Sequence, residues 1–164
     1  SAFGSARIGK RRPPWPGNGR GSALMKPVEV VEAYWECHFR RAWEEMETWF
    51  TDECHYTDVG VDSVGATGGA DIIRRLKIGI EPLSGYEHFP KMTIVDGTTV
   101  VTEHVERWIF HTGEQIDHPF ASIMEVDGDK VSRWHDYSHL GNILDNAPQW
   151  WLEHIMTFSS ASEG

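Results

Sequence analysis

The chain has 164 residues, enough to bury one core but not two independent ones, so a single domain is expected. Hydrophobic residues make up 40% and charged residues 24%, the balance of an ordinary globular protein, which excludes a wholly disordered chain. The net charge of −10 hides an asymmetry: Arg7, Lys10, Arg11, Arg12 and Arg20 precede Met25 without a single acid, leaving ten bases against 25 acids, or −15, in the rest. So acidic a domain repels phosphate backbones and anionic lipid, which argues against nucleic acid or a membrane surface as partner and for a neutral or cationic small molecule.

No apolar run reaches bilayer length, and the first residues lack the apolar core of a secretory signal, so a cytoplasmic protein is expected. Cys37 and Cys54 are two cysteines without C-x-x-C spacing, which reads as reduced thiols rather than a disulfide.

Residues 1–24 mix Gly, Pro, Ser and Arg with no apolar period and read as a flexible basic extension; residues 25–164 form the domain, and Met25 is a candidate for the natural start. From Pro27 the series Val28, Val31, Trp35, Phe39, Ala42, Met46, Trp49 and Phe50 recurs every three or four residues, predicting one long amphipathic helix. An extended segment over 54–59 follows, then glycine-marked loops and a second helix over 70–83, ended by Pro82, with Arg74, Arg75 and Lys77 on its wet face. The period then changes to two. Segments 92–95, 99–110, 120–126 and 130–138 are rich in β-branched and aromatic residues and separated by tight turns, predicting an antiparallel meander. Residues 140–158 add a helix interrupted near Pro148, whose Trp150 and Trp151 are placed to close a pocket or meet a second subunit. Helices first and a meander afterwards is the α+β pattern.

Alternation along a strand places Thr102, His104, Glu106, Trp108 and Phe110 on one face, and Ser132, Trp134, Asp136 and Ser138 together on the next. If these faces meet, an imidazole and two acids converge among aromatic walls. Poor solvation and mutual repulsion would raise the carboxyl pKa values, so that one donates a proton while the other accepts one. The same residue types also occur as a solvated sheet face or a satisfied hydrogen-bond network. No metal site is expected: His135 and His139 have helical ligand spacing, but on a strand leading into a turn. His111 and His118 flank the Gly113 turn and are expected to face solvent, with His118 able to reach a pocket rim. No phosphate loop or nucleophile elbow is present, and no cofactor is expected.

The run Trp134-His135-Asp136-Tyr137 resembles the W-x-D-Y segment of limonene-epoxide hydrolases, Glu103-His104-Val105-Glu106 their E-R-V-D, and Tyr56-Thr57-Asp58 their Y-x-N. The order of elements agrees with the wider superfamily of SnoaL-like polyketide cyclases, ketosteroid isomerases and nuclear transport factor 2. The resemblance implies a cone-shaped curved antiparallel sheet with helices on its concave side, the cystatin-like α+β roll, enclosing a pocket for a small apolar or partly polar ligand. It also implies Asp136 as general base, Glu106 as general acid, Tyr56 and Asp58 as holders of a water, and Trp134 as a pocket wall; Trp108, on the strand face of His104 and Glu106, is a further candidate for binding the ligand. His104 stands where that family has an Arg bridging the two acids, Glu106 where it has Asp, and Asp58 where it has Asn. A protonated His104 between Asp136 and Glu106 is the expected substitute. Three readings stay open: an epoxide hydrolase in which a carboxylate activates water, an isomerase or cyclase, and a non-catalytic ligand-binding module. A homodimer is expected from the resemblance and from the Trp150-Trp151 pair.

Overall fold

The computed structural model of the protein describes residues 24–61 and 64–161. The expected basic extension therefore lies, apart from Leu24, outside the described residues. Helix α1 spans Pro27–Arg40, with Pro27 at its first turn and the Glu29 carboxylate accepting from the Lys26 backbone N–H at 2.7 Å. The predicted long helix does not run on to Phe50. Arg41 turns into the left-handed region at φ 55°, its N–H caps the His38 carbonyl at 2.9 Å, and its guanidinium donates to the Leu83 carbonyl at 2.6 Å. That tertiary hydrogen bond stabilises a backbone conformation the residue type alone disfavours. A short α2 (Trp43–Glu47) follows, then strand β1 (Phe50–Asp58), β2 (Ala66–Thr67) and helix α3 (Gly69–Ile80).

The meander is β3 (Gly85–Asp96), β4 (Thr99–Ile109), β5 (Gln115–Asp127) and β6 (Lys130–Ser138). Gly97 at φ 58° and Gly128 at φ 63° open the two-residue turns that join β3 to β4 and β5 to β6. The sheet order is β2-β1-β6-β5-β4-β3, so the last strand of the meander lies beside the first strand of the chain. Pairing is antiparallel throughout the meander, as predicted, but β1 runs parallel to β6, which makes the sheet mixed. The long return through α3 and the meander permits that parallel neighbour. Strand β3 starts earlier than its apolar run suggests because it is an edge strand, where Pro90 costs no central ladder bond.

Burial alternates along β4 as the period-two pattern requires: Val100, Thr102, His104, Glu106 and Trp108 are buried. Along β6 the register shifts opposite Glu125 and Val126, so Val131 as well as Trp134 points inward. Ser132 is therefore not on the buried face with Trp134, because a bulge resets the alternation. Helix α1 packs across β3, β4, β5 and β6 and buries Val30, Val31, Tyr34, Trp35, Cys37 and His38. Trp134 is the hub of the contact, with Tyr56, Tyr34 and Trp35 ring centroids 4.4, 5.3 and 5.4 Å away. Truncating such a side chain to Ala costs about 3–5 kcal/mol.

The C-terminal segment splits as predicted, into α4 (Gly141–Leu144) and α5 (Gln149–Ala161). Trp151 is not an exposed docking residue: it is 4% exposed, stacks edge-on against Trp108 at 5.5 Å and donates to the Gly79 carbonyl at 2.9 Å. Gly79 permits this approach, since a Cβ there would lie 3.3 Å from the Trp151 ring. Trp150 donates to Thr112 at 3.0 Å, so the pair is engaged within the chain. Cys37 and Cys54 are free and buried.

Candidate functional site

A cavity of about 150 Å³ opens between the sheet, α1, α3 and α4. Register brings its polar groups together: Tyr56 lies opposite Trp134 and Asp58 opposite Asp136 across the β1–β6 pair, while Ser122 lies opposite Asp136 across β5–β6. Of the seven residues singled out from the sequence, Tyr56, Asp58, Glu106, Trp108, Trp134 and Asp136 line the cavity.

His104 is the seventh, and the expected bridge between acids is absent. Its Nδ1 is 2.7 Å from Nε2 of His88 and its Nε2 is 2.7 Å from Oγ1 of Thr102, so both ring nitrogens are engaged away from the carboxylates. The ring stacks on Phe120 at 4.1 Å and meets the edge of Trp35 at 4.6 Å, two residues that form the cavity wall in front of it. Burial pushes its pKa down to about 3, so it is neutral and cannot serve as the cationic link.

Each acid is held differently. Asp136 receives the Ser122 hydroxyl and the Trp134 indole N–H on the same oxygen, Oδ1, both at 2.5 Å. No hydrogen bond from the described residues reaches its Oδ2. Burial first, and then the charge of Asp58, raises the Asp136 pKa well above the ordinary carboxylate range, against the lowering effect of its two donors. Glu106 is 8% exposed, accepts a short hydrogen bond from the Tyr86 hydroxyl on Oε2, and is pushed up to about 7 by burial. It therefore keeps its proton to near neutrality. The Trp108 indole N–H lies near enough to Glu106 to help hold its pKa down, yet it is buried without a well-formed hydrogen bond among the described residues.

The third acid, Asp58, is paired with a cation. Arg75 of α3 approaches Asp58 Oδ2 at 3.4 Å and lies 5.4 Å from the Tyr56 ring centroid, so it lines the cavity and is not part of the wet face assigned to it. Arg74 and Lys77 are on that face, paired with Asp71 and Glu81. Burial raises the Asp58 pKa while Arg75 and the Tyr56 hydroxyl, 3.2 Å from both carboxylate oxygens, oppose the rise.

Trp35, His38, Tyr86 and Arg75 are among the cavity residues that the sequence does not single out as site residues. His38 had a signal, a polar residue one turn after Tyr34 on an otherwise buried helix face. Tyr86 had none, because the apolar and β-branched run that marks its strand begins only at residue 92. His118, expected to face solvent with a possible reach to the rim, is 2% exposed and lines the cavity. Among the described residues no group of three or more His, Cys, Asp or Glu is placed to hold a metal ion.

A family profile for the SnoaL-like domain matches residues 31–134, which includes Tyr56, Glu106 and Trp134 and ends within β6, before Asp136. The chain belongs to the SnoaL-like family. No curated protein matches it. Solved structures agree with the SnoaL-like fold. An LEH-like epoxide hydrolase from M. tuberculosis is 18% identical, covers 82% of this chain and 96% of its own, and superposes with a TM-score of 0.63.

A *Shewanella putrefaciens* protein described as a SnoaL-like polyketide cyclase is 13% identical over 76% of this chain and 97% of its own, with a TM-score of 0.66. A *Catenulispora acidiphila* protein with the ketosteroid isomerase-like fold, solved with trimethylamine, is 18% identical over 73% of this chain and 92% of its own, at 0.64. At these identities the likeness is one of fold: an α+β roll with an open, curled sheet. Among the described residues no helix is long and apolar enough to cross a membrane.

Proposed function

We propose that this SnoaL-like cavity moves a proton on a small neutral ligand, in a reaction of isomerase or cyclase type, with Asp136 as base and Glu106 as acid. The observation that carries the reading is that two buried carboxyls on one cavity wall are supported unequally. Asp136 takes two short donors on one oxygen, which oppose the rise that burial causes in its pKa and leave the other oxygen free to accept, whereas Glu106 takes its short donor from Tyr86 and has a pKa of about 7. A carbonyl ligand would lose an α-hydrogen to Oδ2 of Asp136, the C–H electron pair becoming an enolate whose oxygen Glu106 protonates or hydrogen-bonds. The cavity volume is comparable to one that holds a benzene-sized ligand, so a molecule with about one ring is favoured.

Activation of water for epoxide opening is the second reading. The register placing Tyr56 and Asp58 against Trp134 and Asp136 favours it. Engagement of Asp58 by Arg75, and of His104 by His88 and Thr102, weighs against it. No cofactor enters either reading. A homodimer is proposed on the resemblance; a monomer in sedimentation at micromolar concentration contradicts it.

Small cyclic ketones in D2O and small cyclic epoxides in ¹⁸O-labelled water distinguish the reactions. The expected result is α-hydrogen exchange, followed by NMR, that is lost in Asp136→Asn and strongly slowed in Glu106→Gln. Labelled diol without exchange moves the assignment to hydrolysis. Binding with neither conversion contradicts an enzyme.

A further inference from the structure

Behind Glu106 lies a line of three buried groups. The Tyr34 hydroxyl is 3.0 Å from Nδ1 of His38, Nε2 of His38 is 3.0 Å from the Tyr86 hydroxyl, and Tyr86 donates to Oε2 of Glu106. Tyr34, His38, Tyr86 and Glu106 are 0%, 3%, 8% and 8% exposed, and Tyr34, whose proton sets the order, lies outside the cavity lining and away from solvent.

The placement of protons along this line follows from counting donors. Tyr34 has one proton to donate, and His38 Nδ1 is its only hydrogen-bonding partner among the described residues. Nδ1 is therefore the acceptor, and a neutral imidazole must carry its proton on Nε2, which donates to the Tyr86 oxygen. The Tyr86 proton is then directed to Glu106. Reversing the order would strand the Tyr34 proton in the core, a costly arrangement. Neutrality of the imidazole is consistent with its neighbours: Tyr34 on its own helix, Tyr86 and His88 on β3, His104 and Glu106 on β4, and Asp136 on β6. Burial dominates there, and any charge on His88 or His104 would disfavour a second cation.

We propose that His38 is a positioning residue: acting through Tyr86, it keeps Oε2 of Glu106 a permanent acceptor, so that the exchangeable proton of Glu106 sits on Oε1. On transfer the Oε1–H bond breaks, its electron pair stays on the carboxylate and the proton leaves with the ligand. The protons of Tyr86 and His38 do not move. The line is thus a brace and not a relay. This inference rests on the reading of Glu106 as the acid, but its structural content is separable from turnover.

The test is ¹⁵N–¹H NMR of the whole protein, labelled in its imidazoles, from pH 5.5 to 8.5, with the Glu106 carboxyl followed by ¹³C. The expected result is a neutral, Nε2-protonated His38 throughout, including across the Glu106 titration. An Nδ1-protonated form, an imidazolium, or a tautomer exchange in step with Glu106 overturns the proposal. His38→Gln, whose amide can donate to Tyr86 and accept from Tyr34, should leave the Glu106 midpoint in place. His38→Leu removes the donor behind Tyr86 and should raise that midpoint by roughly one pH unit; equal midpoints in the two variants overturn the proposal. The imidazole spectrum needs no variant, so failure of His38→Leu to fold leaves the test intact. Loss of exchange activity in Glu106→Gln bears on the acid assignment alone.

Discussion

Ser122 and Asp136 face each other across β5 and β6, and the serine hydroxyl donates to Oδ1 of the aspartate at 2.5 Å, on the same oxygen that receives the Trp134 indole N–H. Two donors on one oxygen fix the rotation of the carboxyl and aim the other oxygen away from the protein's own hydrogen bonds. The base of the proposed reaction is positioned by two neighbours, neither of which titrates.

Ser122→Ala and Trp134→Phe each remove one of these donors while keeping most of the packing. Both donors favour the ionised form, so either loss raises the Asp136 pKa further. The acidic limb of the pH profile, where the base loses its proton, should move to higher pH, and stability should fall by about 1–3 kcal/mol because a buried acceptor loses a partner. Urea denaturation and pH–rate profiles check the two effects; unchanged profiles in both variants contradict the role assigned to Oδ1.

Glu106 sets a stability slope of known sign. Its pKa rises from the ordinary 4.5 to about 7 on folding, so the folded state holds the proton more tightly than the unfolded one. The stability it contributes is complete below pH 4.5 and is lost as pH rises through 7, a difference of about 3 kcal/mol. Glu106→Gln removes that loss. The variant should be the more stable protein at pH 8, with its advantage shrinking toward pH 5 in urea titrations.

His38 acts in the opposite direction. Burial lowers its pKa from 6.5 to about 3, so its contribution is present above 6.5 and is lost as pH falls toward 3. His38→Gln should be less stable than the parent at pH 7, and the gap should narrow at pH 5. A gap that widens on acidification contradicts a neutral His38 in the folded protein.

Arg75→Met leaves Asp58 without its cation. The Asp58 pKa should rise, because the charge that opposes its desolvation is gone, and stability should change by only about 1 kcal/mol for a half-buried pair. Carboxyl ¹³C titration reads the first effect and thermal denaturation the second.

Much of this site is written in strand periodicity. Alternation alone puts His104, Glu106 and Trp108 on one face of β4 and Trp134 with Asp136 on one face of β6, and all five are buried. It does not say which neighbour a buried group finds, and so His104 was expected to meet the acids when His88, on a strand whose polar start gave no signal, holds it instead. The break at Arg41 has no Gly or Pro to announce it; the Leu83 carbonyl, 42 residues away, provides the reason. Arg75 lies on α3 beside two charges that do face solvent, and the packing of α3 against β1 brings Asp58 within its reach. Local pattern determines which face a residue occupies, and tertiary pairing determines its partner.

The proposed proton transfer depends on the raised pKa values of Glu106 and Asp136. A ¹³C titration of the labelled Asp and Glu side chains, with Glu106→Gln and Asp136→Asn used to assign the signals, tests it directly. Glu106 should titrate near pH 7 and Asp136 well above the ordinary aspartate range. If both titrate near pH 4, the cavity has no acid that stays protonated at neutral pH, and the proposed proton transfer fails.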